Sequence, residues 1–109
     1  NGLYFADSAL ATCQGSASQF YCPSTTQELS ATNQSQTGVL LPTSFSVANL
    51  QALSKSNFAL DDIAGGLGSN VNLTGNYFDF GLPFFYGRTV FVAIEGMAAG
   101  GSMGPYYAY

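Results

Sequence analysis

Residues Tyr77–Glu95 read Tyr-Phe-Asp-Phe-Gly-Leu-Pro-Phe-Phe-Tyr-Gly-Arg-Thr-Val-Phe-Val-Ala-Ile-Glu, the longest densely apolar and aromatic segment of the chain. The first four residues, Tyr77–Phe80, are predicted to form a short extended piece. Gly81 and Pro83 interrupt it, because Gly permits backbone angles closed to other residues and Pro cannot donate a hydrogen bond to a sheet. A compact aromatic turn is predicted at Phe84–Tyr86.

The second half of this segment is predicted to be a strand. Gly87 is predicted to end the aromatic turn. The residues that follow, Arg88–Glu95, are rich in Thr, Val, Phe and Ile, which favour a buried position in a pleated sheet. We therefore expect a glycine-hinged strand–turn–strand unit inside a larger, mainly β structure.

The composition indicates a single exported β domain or part of one. The chain has 109 residues, so at most one domain fits, and we predict that residues 1–109 are a single partial domain. Only 7% of the residues are charged, against about a quarter in typical proteins. Few charges with many small polar residues and Tyr are typical of a secreted or cell-surface protein, or of a fibre subunit.

The same composition excludes several classes of function. The net charge is −4 with only 2 cationic residues, which argues against nucleic acid or an anionic membrane as partner. His is absent, which excludes His-activated nucleophiles and His/Cys zinc sites built from this chain, so no metal or cofactor is predicted. No apolar run reaches the ~18–20 residues of a membrane span. The chain begins at Asn1 without an initiator Met, from which we expect a processed product or a piece of a longer protein.

Two cysteines bracket a polar loop of small residues, Cys13–Cys22. In an exported protein they would pair with each other, and closing so short a loop stabilises the fold by roughly 2–3 kcal/mol. The alternative is a redox or metal pair, but the spacing is wrong for Cys-x-x-Cys and the chain has no other soft ligand. A structural disulfide is therefore favoured.

Outside this loop, the pattern predicts short strands and one or two short helices. Gly2–Phe5 is a predicted strand, and Ala6–Leu10 a single helical turn. Ser24–Thr37 can form an edge hairpin or a surface loop with a turn near Gly38. Phe45 and Val47 alternate with hydroxyl residues, as in a strand with one buried side. Ala48–Lys55 spaces Leu50 and Leu53 three apart and predicts a short amphipathic helix.

The polar candidates for function are few. Asn33 and Asn72 begin glycosylation sequons, a pattern that is common by chance in such a chain. Asp61 and Asp62 are adjacent, so they do not face each other on a helix or strand, and a turn or a helix start is a better assignment than a shared proton. Gly65–Asn70 is glycine-rich, but it has no Lys and is assigned as a flexible loop rather than a phosphate-binding loop.

Several motifs together resemble a known family. The start, Asn1–Ser8, is similar to the continuation of an Asp-Ser-Gly-Ser motif that would lie upstream. The other motifs are Phe20-Tyr21-Cys22-Pro23, Phe45-Ser46-Val47-Ala48-Asn49, Phe80–Phe91 and Gly104-Pro105-Tyr106. They resemble the C-terminal part of an uncharacterised family of exported bacterial proteins known only as a domain of unknown function. The resemblance covers essentially the whole chain.

That family in turn resembles the pepsin-like aspartic proteases, whose two lobes each supply one Asp in an Asp-Thr/Ser-Gly loop. The resemblance implies part of a pepsin-like β-barrel lobe. In it, Leu3 and Phe5 belong to the strand after the catalytic loop, and Phe80 and Gly81 end a segment that crosses behind that loop. These four residues would support the loop and take no direct part in catalysis. Two carboxylates that share a proton need such support, because they must be held a few ångströms apart.

The chain also departs from the protease pattern. Asp79 stands where the pattern has an apolar residue, and Leu82-Pro83 replaces an acidic–apolar pair. The expected catalytic Asp lies upstream of Asn1, so no residue of this chain is predicted to be catalytic. The four aspartates of the chain, Asp7, Asp61, Asp62 and Asp79, all lack the Asp-Thr/Ser-Gly context.

Two functions follow as alternatives. In the first, the chain is the C-terminal segment of an exported pepsin-like domain, and its partner is the N-terminal part of the same protein. In the second, it is a structural subunit of an extracellular filament or surface assembly. Neighbouring subunits would then complete it through β-strand contacts. A third possibility, a carbohydrate-binding module, would use exposed tyrosines, but in such a strand-rich chain aromatic residues are more often part of the core.

Overall fold

The computed structural model describes residues 2–35, 37–53, 59–67 and 77–109, and this part of the chain is mainly β. The strands are β1 (Leu3–Phe5), β2 (Gln27–Gln34), β3 (Leu40–Val47), β4 (Ala64–Gly65), β5 (Phe78–Asp79), β6 (Phe91–Ala93), β7 (Ala98–Ala99), β8 (Ser102–Met103) and β9 (Tyr106–Ala108). Two 3₁₀ helices, at Gly15–Ala17 and Leu82–Phe85, are the helical segments of this part.

The central element is β1, which has a hydrogen-bonded neighbour on each side. It runs parallel to β4 and antiparallel to β5, in the order β4-β1-β5. The disulfide-bracketed loop extends this sheet at the free edge of β4, because the N–H of Tyr21 donates to the carbonyl of Ala64 (2.9 Å) and the N–H of Gly66 to that of Gln19 (3.0 Å). The strand β1 is only three residues long. Its sheet is completed by β4, β5 and the disulfide-bracketed loop, which come from three distant parts of the sequence.

The core forms on one side of β1. Leu3 and Phe5 are buried on this side, as the alternation of a strand requires, and they pack with buried Tyr21, Val47 and Ala64. Around this cluster lie the half-buried side chains of Leu10, Leu29, Phe45, Phe78 and Phe80. The residues that were predicted to alternate on the third strand behave as expected, with Val47 fully buried and Phe45 partly so.

Glycine is required at one position of the central sheet. A Cβ atom on Gly65 would lie 2.7 Å from the carbonyl oxygen of Gln19 and 2.9 Å from the ring of Tyr4, closer than real Cβ contacts. Gly65 was predicted to start a flexible loop, and that prediction is wrong: it is a buried residue of β4. The misassigned loop ends at Asn70, and its last three residues lie outside the described part.

The long hairpin β2–β3 confirms one of the two structures predicted for the polar segment. Gln27 pairs with Val47 at one end and Gln34 with Leu40 at the other. The turn closes where predicted: the N–H of Gly38 donates to the carbonyl of Ser35 (3.0 Å), and Gly38 has φ +86°. Side chains of β2 alternate between half-buried and exposed along its whole length.

The predicted buried strand Arg88–Glu95 is wrong in length and in burial. Only Phe91–Ala93 is a strand, β6, which pairs with β9 in a two-stranded ribbon. Phe91 is 62%, Val92 64% and Ile94 71% exposed, whereas Ala93 is buried. The sequence has the composition of a buried strand, but no layer of the described structure packs over it.

The described strands do not close into a barrel. They form one three-stranded sheet and three two-stranded sheets. The radius of gyration is 16.2 Å, against about 13 Å for a compact domain of this length. The mainly β class is thus confirmed, while the pepsin-like lobe remains a hypothesis.

The helical predictions are only partly right. Residues 48–53 form a single turn, in which the N–H groups of Ala52 and Leu53 donate to the carbonyl of Asn49 (2.9 and 3.2 Å), and Lys55 lies outside the described residues. Near the start of the chain, Asp7 Oδ1 accepts the N–H of Ala9 (2.8 Å) in a side-chain-closed turn. Both segments contain a residue that closes a turn, and neither forms an α-helix within the described residues.

Candidate functional site

Two of the four predicted support residues, Leu3 and Phe5, lie in β1, and the other two, Phe80 and Gly81, directly follow its partner strand β5. Tyr4 pairs with Asp79 and Phe5 with Phe78, so continuing this antiparallel register places Leu3 across from Phe80. Leu3 and Phe80 also line the same cleft. The predicted neighbourhood of Leu3–Phe5 and Phe80-Gly81 is therefore present in the structure.

Gly81 has a backbone conformation that other residues avoid. Its φ of 56° and ψ of −161° fall in a region that is essentially restricted to glycine. Its N–H donates to Oδ1 of Asp79 at 2.9 Å. Asp79, which departs from the protease pattern, therefore closes the turn that leads from β5 into the second 3₁₀ helix.

The aromatic turn predicted after Gly81 is present as the second 3₁₀ helix. Ring centroids follow one another at 4.7 Å between Phe78 and Phe80 and at 4.9 Å between Phe80 and Phe84. Phe84 then meets Tyr109 edge-to-face at 4.9 Å. This aromatic chain connects the core, the turn and the last residue of the sequence.

Tyr21 fixes the end of β1, a role that the sequence did not suggest. It is 2% exposed, its hydroxyl donates to the carbonyl of Phe5 (2.7 Å), and the same oxygen accepts the N–H of Asp7 (3.0 Å). Burial raises the pKa of Tyr21, partly offset by the hydrogen bond from Asp7 N–H, while the negative charge of Asp7 raises it further. The folded state therefore favours the neutral phenol.

The Tyr21→Phe variant is expected to unfold more easily, by about 1–3 kcal/mol, because a buried carbonyl and N–H lose their partner. It should also lose one source of alkaline sensitivity. The raised pKa means that stability is fully present below the unfolded pKa of about 10 and is lost as pH rises through the folded pKa. Urea unfolding followed by circular dichroism between neutral and alkaline pH measures both effects.

The control is Tyr107→Phe, because Tyr107 is 73% exposed. It should keep both the stability and the alkaline loss of the wild type. Equal stability of the Tyr21→Phe and Tyr107→Phe variants would contradict the role of Tyr21.

A cleft of about 260 Å³ opens beside Leu3 and Phe80, between the β2–β3 hairpin and the second 3₁₀ helix. It is lined by charged and hydroxyl side chains and by apolar ones: Glu28, Asp61, Arg88, Ser44, Ser46, Tyr86, Leu3, Phe45, Phe80, Pro83 and Phe84. Arg88 lies over the ring of Phe84, with 4.7 Å between its Cζ atom and the ring centroid. The cleft combines charges and aromatic walls that come from five separate segments.

The sequence did not single out this cleft. Glu28 and Arg88 lie 60 positions apart in the numbering of the chain, and their proximity depends on the fold. Asp61 was assigned to a turn or a helix start; it lies in a bend before β4, and it also lines the cleft. The backbone carbonyl of Asp62 accepts a hydrogen bond from the N–H of Ala48 at 2.9 Å.

The remaining site predictions have different outcomes. The disulfide Cys13–Cys22 is formed. The amide nitrogen of Asn33 donates to Thr43 Oγ1 (3.2 Å) and to the hydroxyl of Tyr109, so the atom that would carry a glycan already has partners. Asn72, the other sequon, lies outside the described residues.

Neither a metal cluster nor a membrane-spanning helix is found in the part of the chain that the structure describes. No group of three or more Cys, Asp or Glu side chains is placed there to hold a metal ion. No helix in the same ranges has the length and apolarity to cross a bilayer.

Comparison with known proteins assigns the chain to a family. The family model described as "Protein of unknown function (DUF3443)" matches residues 1–109, the whole chain. No curated protein and no solved structure matches it. The match agrees with the resemblance drawn from the terminal motifs, and the chain belongs to the DUF3443 family of proteins of unknown function.

Proposed function

We propose that this chain is the C-terminal segment of an exported pepsin-like domain, in which β1 and β5 support a carboxylate loop that precedes Asn1. One observation carries the proposal: β1 lies between β4 and β5, and β5 ends at Asp79, two residues before Gly81, whose backbone conformation is glycine-specific. The resemblance to pepsin-like lobes implies a strand after the catalytic loop and a glycine-ended segment that crosses behind that loop, and in this proposal β1 and the segment from β5 to Gly81 take these roles.

The proposed support of the carboxylate loop depends on the rigidity of β1. A loop that directly precedes β1 is held in place by that strand, and β1 is hydrogen-bonded on both edges and held at its C-terminal end by Tyr21. Two carboxylates that share a proton tolerate little movement, because their mutual pKa effect depends on a separation of a few ångströms. The chain by itself has no Asp-Thr/Ser-Gly motif and performs no aspartic-protease chemistry in this proposal.

Export is part of the same proposal. The disulfide Cys13–Cys22 is formed, and disulfides persist in oxidising compartments such as the periplasm or the extracellular space. The scarcity of charged residues also suits a secreted or cell-surface protein. The partner is then the N-terminal part of the same polypeptide.

The test uses the full-length gene product. Its sequence should contain an Asp-Ser/Thr-Gly immediately before Asn1 and a second copy far upstream, and absence of both would refute the proposal. Where both are present, cleavage of an unfolded protein at acid pH, with and without pepstatin, shows whether the site is active or degenerate.

A matched pair of variants tests the support role in an active protein. Gly81→Ala strains the backbone beside β1, whereas Gly87→Ala strains a positive-φ position (+71°) with open space around it. Gly81→Ala should reduce cleavage far more than Gly87→Ala. Equal losses would show that Gly81 has no special relation to the catalytic loop.

A second candidate, a structural subunit of an extracellular filament or surface assembly, is favoured by the β6–β9 ribbon. Its strands expose Phe91, Val92 and Tyr107, and each strand has one edge without a partner in the described sheets. Such edges can accept a strand from a neighbouring chain. Gel filtration and electron microscopy of the purified full-length protein would reveal filaments, and a monomer that cleaves peptides would exclude this candidate.

A further inference from the structure

The cleft beside Leu3 keeps an acidic lining that its own arginine does not neutralise. Glu28 reaches it from β2 and Asp61 from the bend before β4. Within the described residues, the hydrogen-bond acceptors of Arg88 are the carbonyls of Ser44 (3.0 Å) and Phe84 (3.4 Å), and neither carboxylate is among them. The described residues of the lining therefore carry two negative charges and one positive charge, a net charge of −1.

The walls of the cleft suit a cation on an apolar stem. Phe80, Phe84 and Tyr86 present aromatic surface, and such rings attract cations and pack against methylene groups. Phe84 already binds one guanidinium in this way, that of Arg88. The hydroxyls of Ser44 and Ser46 supply further acceptors at the same place.

The size of the cleft and the overall charge of the protein further restrict the class of ligand that the cleft can bind. The volume of about 260 Å³ lies below the ~300–1,000 Å³ of pockets for drug-sized molecules, so the cleft suits one long side chain. The net charge of −4 attracts cations toward the whole molecule. We infer that this cleft is a binding site for a basic side chain, a lysine or arginine of a peptide. The inference does not depend on the proposed function, because binding requires no cleavage.

The test compares two small probes that differ in charge. Nα-acetyl-lysine methylamide carries the ammonium group, and Nα-acetyl-norleucine methylamide has a similar stem without it. Their affinities for the full-length protein are measured by ligand-detected NMR. The lysine probe should bind more tightly, and the double variant Glu28→Gln/Asp61→Asn should weaken its binding about five- to tenfold.

Glu95→Gln is the control, because Glu95 is exposed and does not line the cleft. It should leave both affinities unchanged. Raising the salt concentration to about 1 M, where the screening length falls to about 3 Å, should weaken the lysine probe and spare the norleucine probe, without any variant that must fold.

Three results would overturn the inference. The first is equal affinity for the two probes. The second is lysine binding that neither salt nor the double variant weakens. The third is tighter binding of glucose than of the lysine probe, which would make the cleft a sugar site. Circular dichroism of the variants, compared with that of the wild type, shows whether they are folded.

Discussion

Replacing Phe5 with Ala is expected to lower the free energy of unfolding by about 3–5 kcal/mol, the largest effect among the substitutions considered. Phe5 is 6% exposed, and its ring centroid lies 5.3 Å from that of Tyr21, 5.6 Å from Phe45 and 5.2 Å from Phe78. These three rings come from three different parts of the sheet structure. Removing Phe5 therefore leaves a cavity where its ring contacts these three rings. Urea unfolding followed by circular dichroism measures the loss.

Phe91→Ala is the matched control for this substitution. It removes the same atoms from a side chain that is 62% exposed, so little packing is lost and the expected change is within about 0.5 kcal/mol. Comparable losses in the two variants would mean that the ribbon, and not the β1 cluster, contributes to the core. Such a result would contradict the assignment of the core.

The second large effect is expected from the disulfide. The double variant Cys13→Ser/Cys22→Ser should lose about 2–3 kcal/mol, because the unfolded chain regains the conformational freedom of the loop. The bond also has a local consequence: Cys13 N–H donates to the carbonyl of Phe20 (2.9 Å), and the adjacent Tyr21 holds the end of β1. A change in the conformation of this loop is therefore expected to alter the position of β1.

Urea unfolding with and without reductant separates the bond from the substitution. Reductant should lower the stability of the wild type by an amount similar to that of the double variant, and should leave the double variant unchanged. A double variant as stable as the oxidised wild type would show that the disulfide is not a structural staple.

Much of the local structure could be predicted, because local rules determined it. The β2–β3 hairpin follows from alternation and from Gly38, which supplies the positive φ of its turn. The aromatic turn follows from Gly81 and Pro83. By contrast, β4 is two residues long and forms because Tyr4 and Phe20 both pair with Gly65, whereas the glycine-rich sequence from Gly65 onward indicated only a loop.

The exposed strand β6 shows the limit of a compositional argument. Its Val and Phe residues favour a strand, and a strand formed, but burial depends on whether another layer packs on it. The site shows the same limit. The pairing of the cysteines followed from the residues, and the neighbourhood of Leu3 and Phe80 was implied by the family resemblance. The hydrogen bond from Tyr21 to the carbonyl of Phe5 joins residues 16 positions apart, and the one from Arg88 to the carbonyl of Ser44 joins residues 44 positions apart. No local sequence pattern predicts either of them.

The apolar ribbon of β6 and β9 also affects how the protein behaves at high concentration. Unpaired strand edges beside Phe, Val and Tyr side chains can template the growth of cross-β aggregates, and charged residues that would oppose such growth are scarce here. Folding of the core does not remove this hazard, because the ribbon remains exposed in the folded state. Colloidal behaviour, more than unfolding, is therefore expected to limit the concentration at which the protein stays dispersed. Replacing Val92 or Tyr107 with a charged residue is expected to reduce this aggregation.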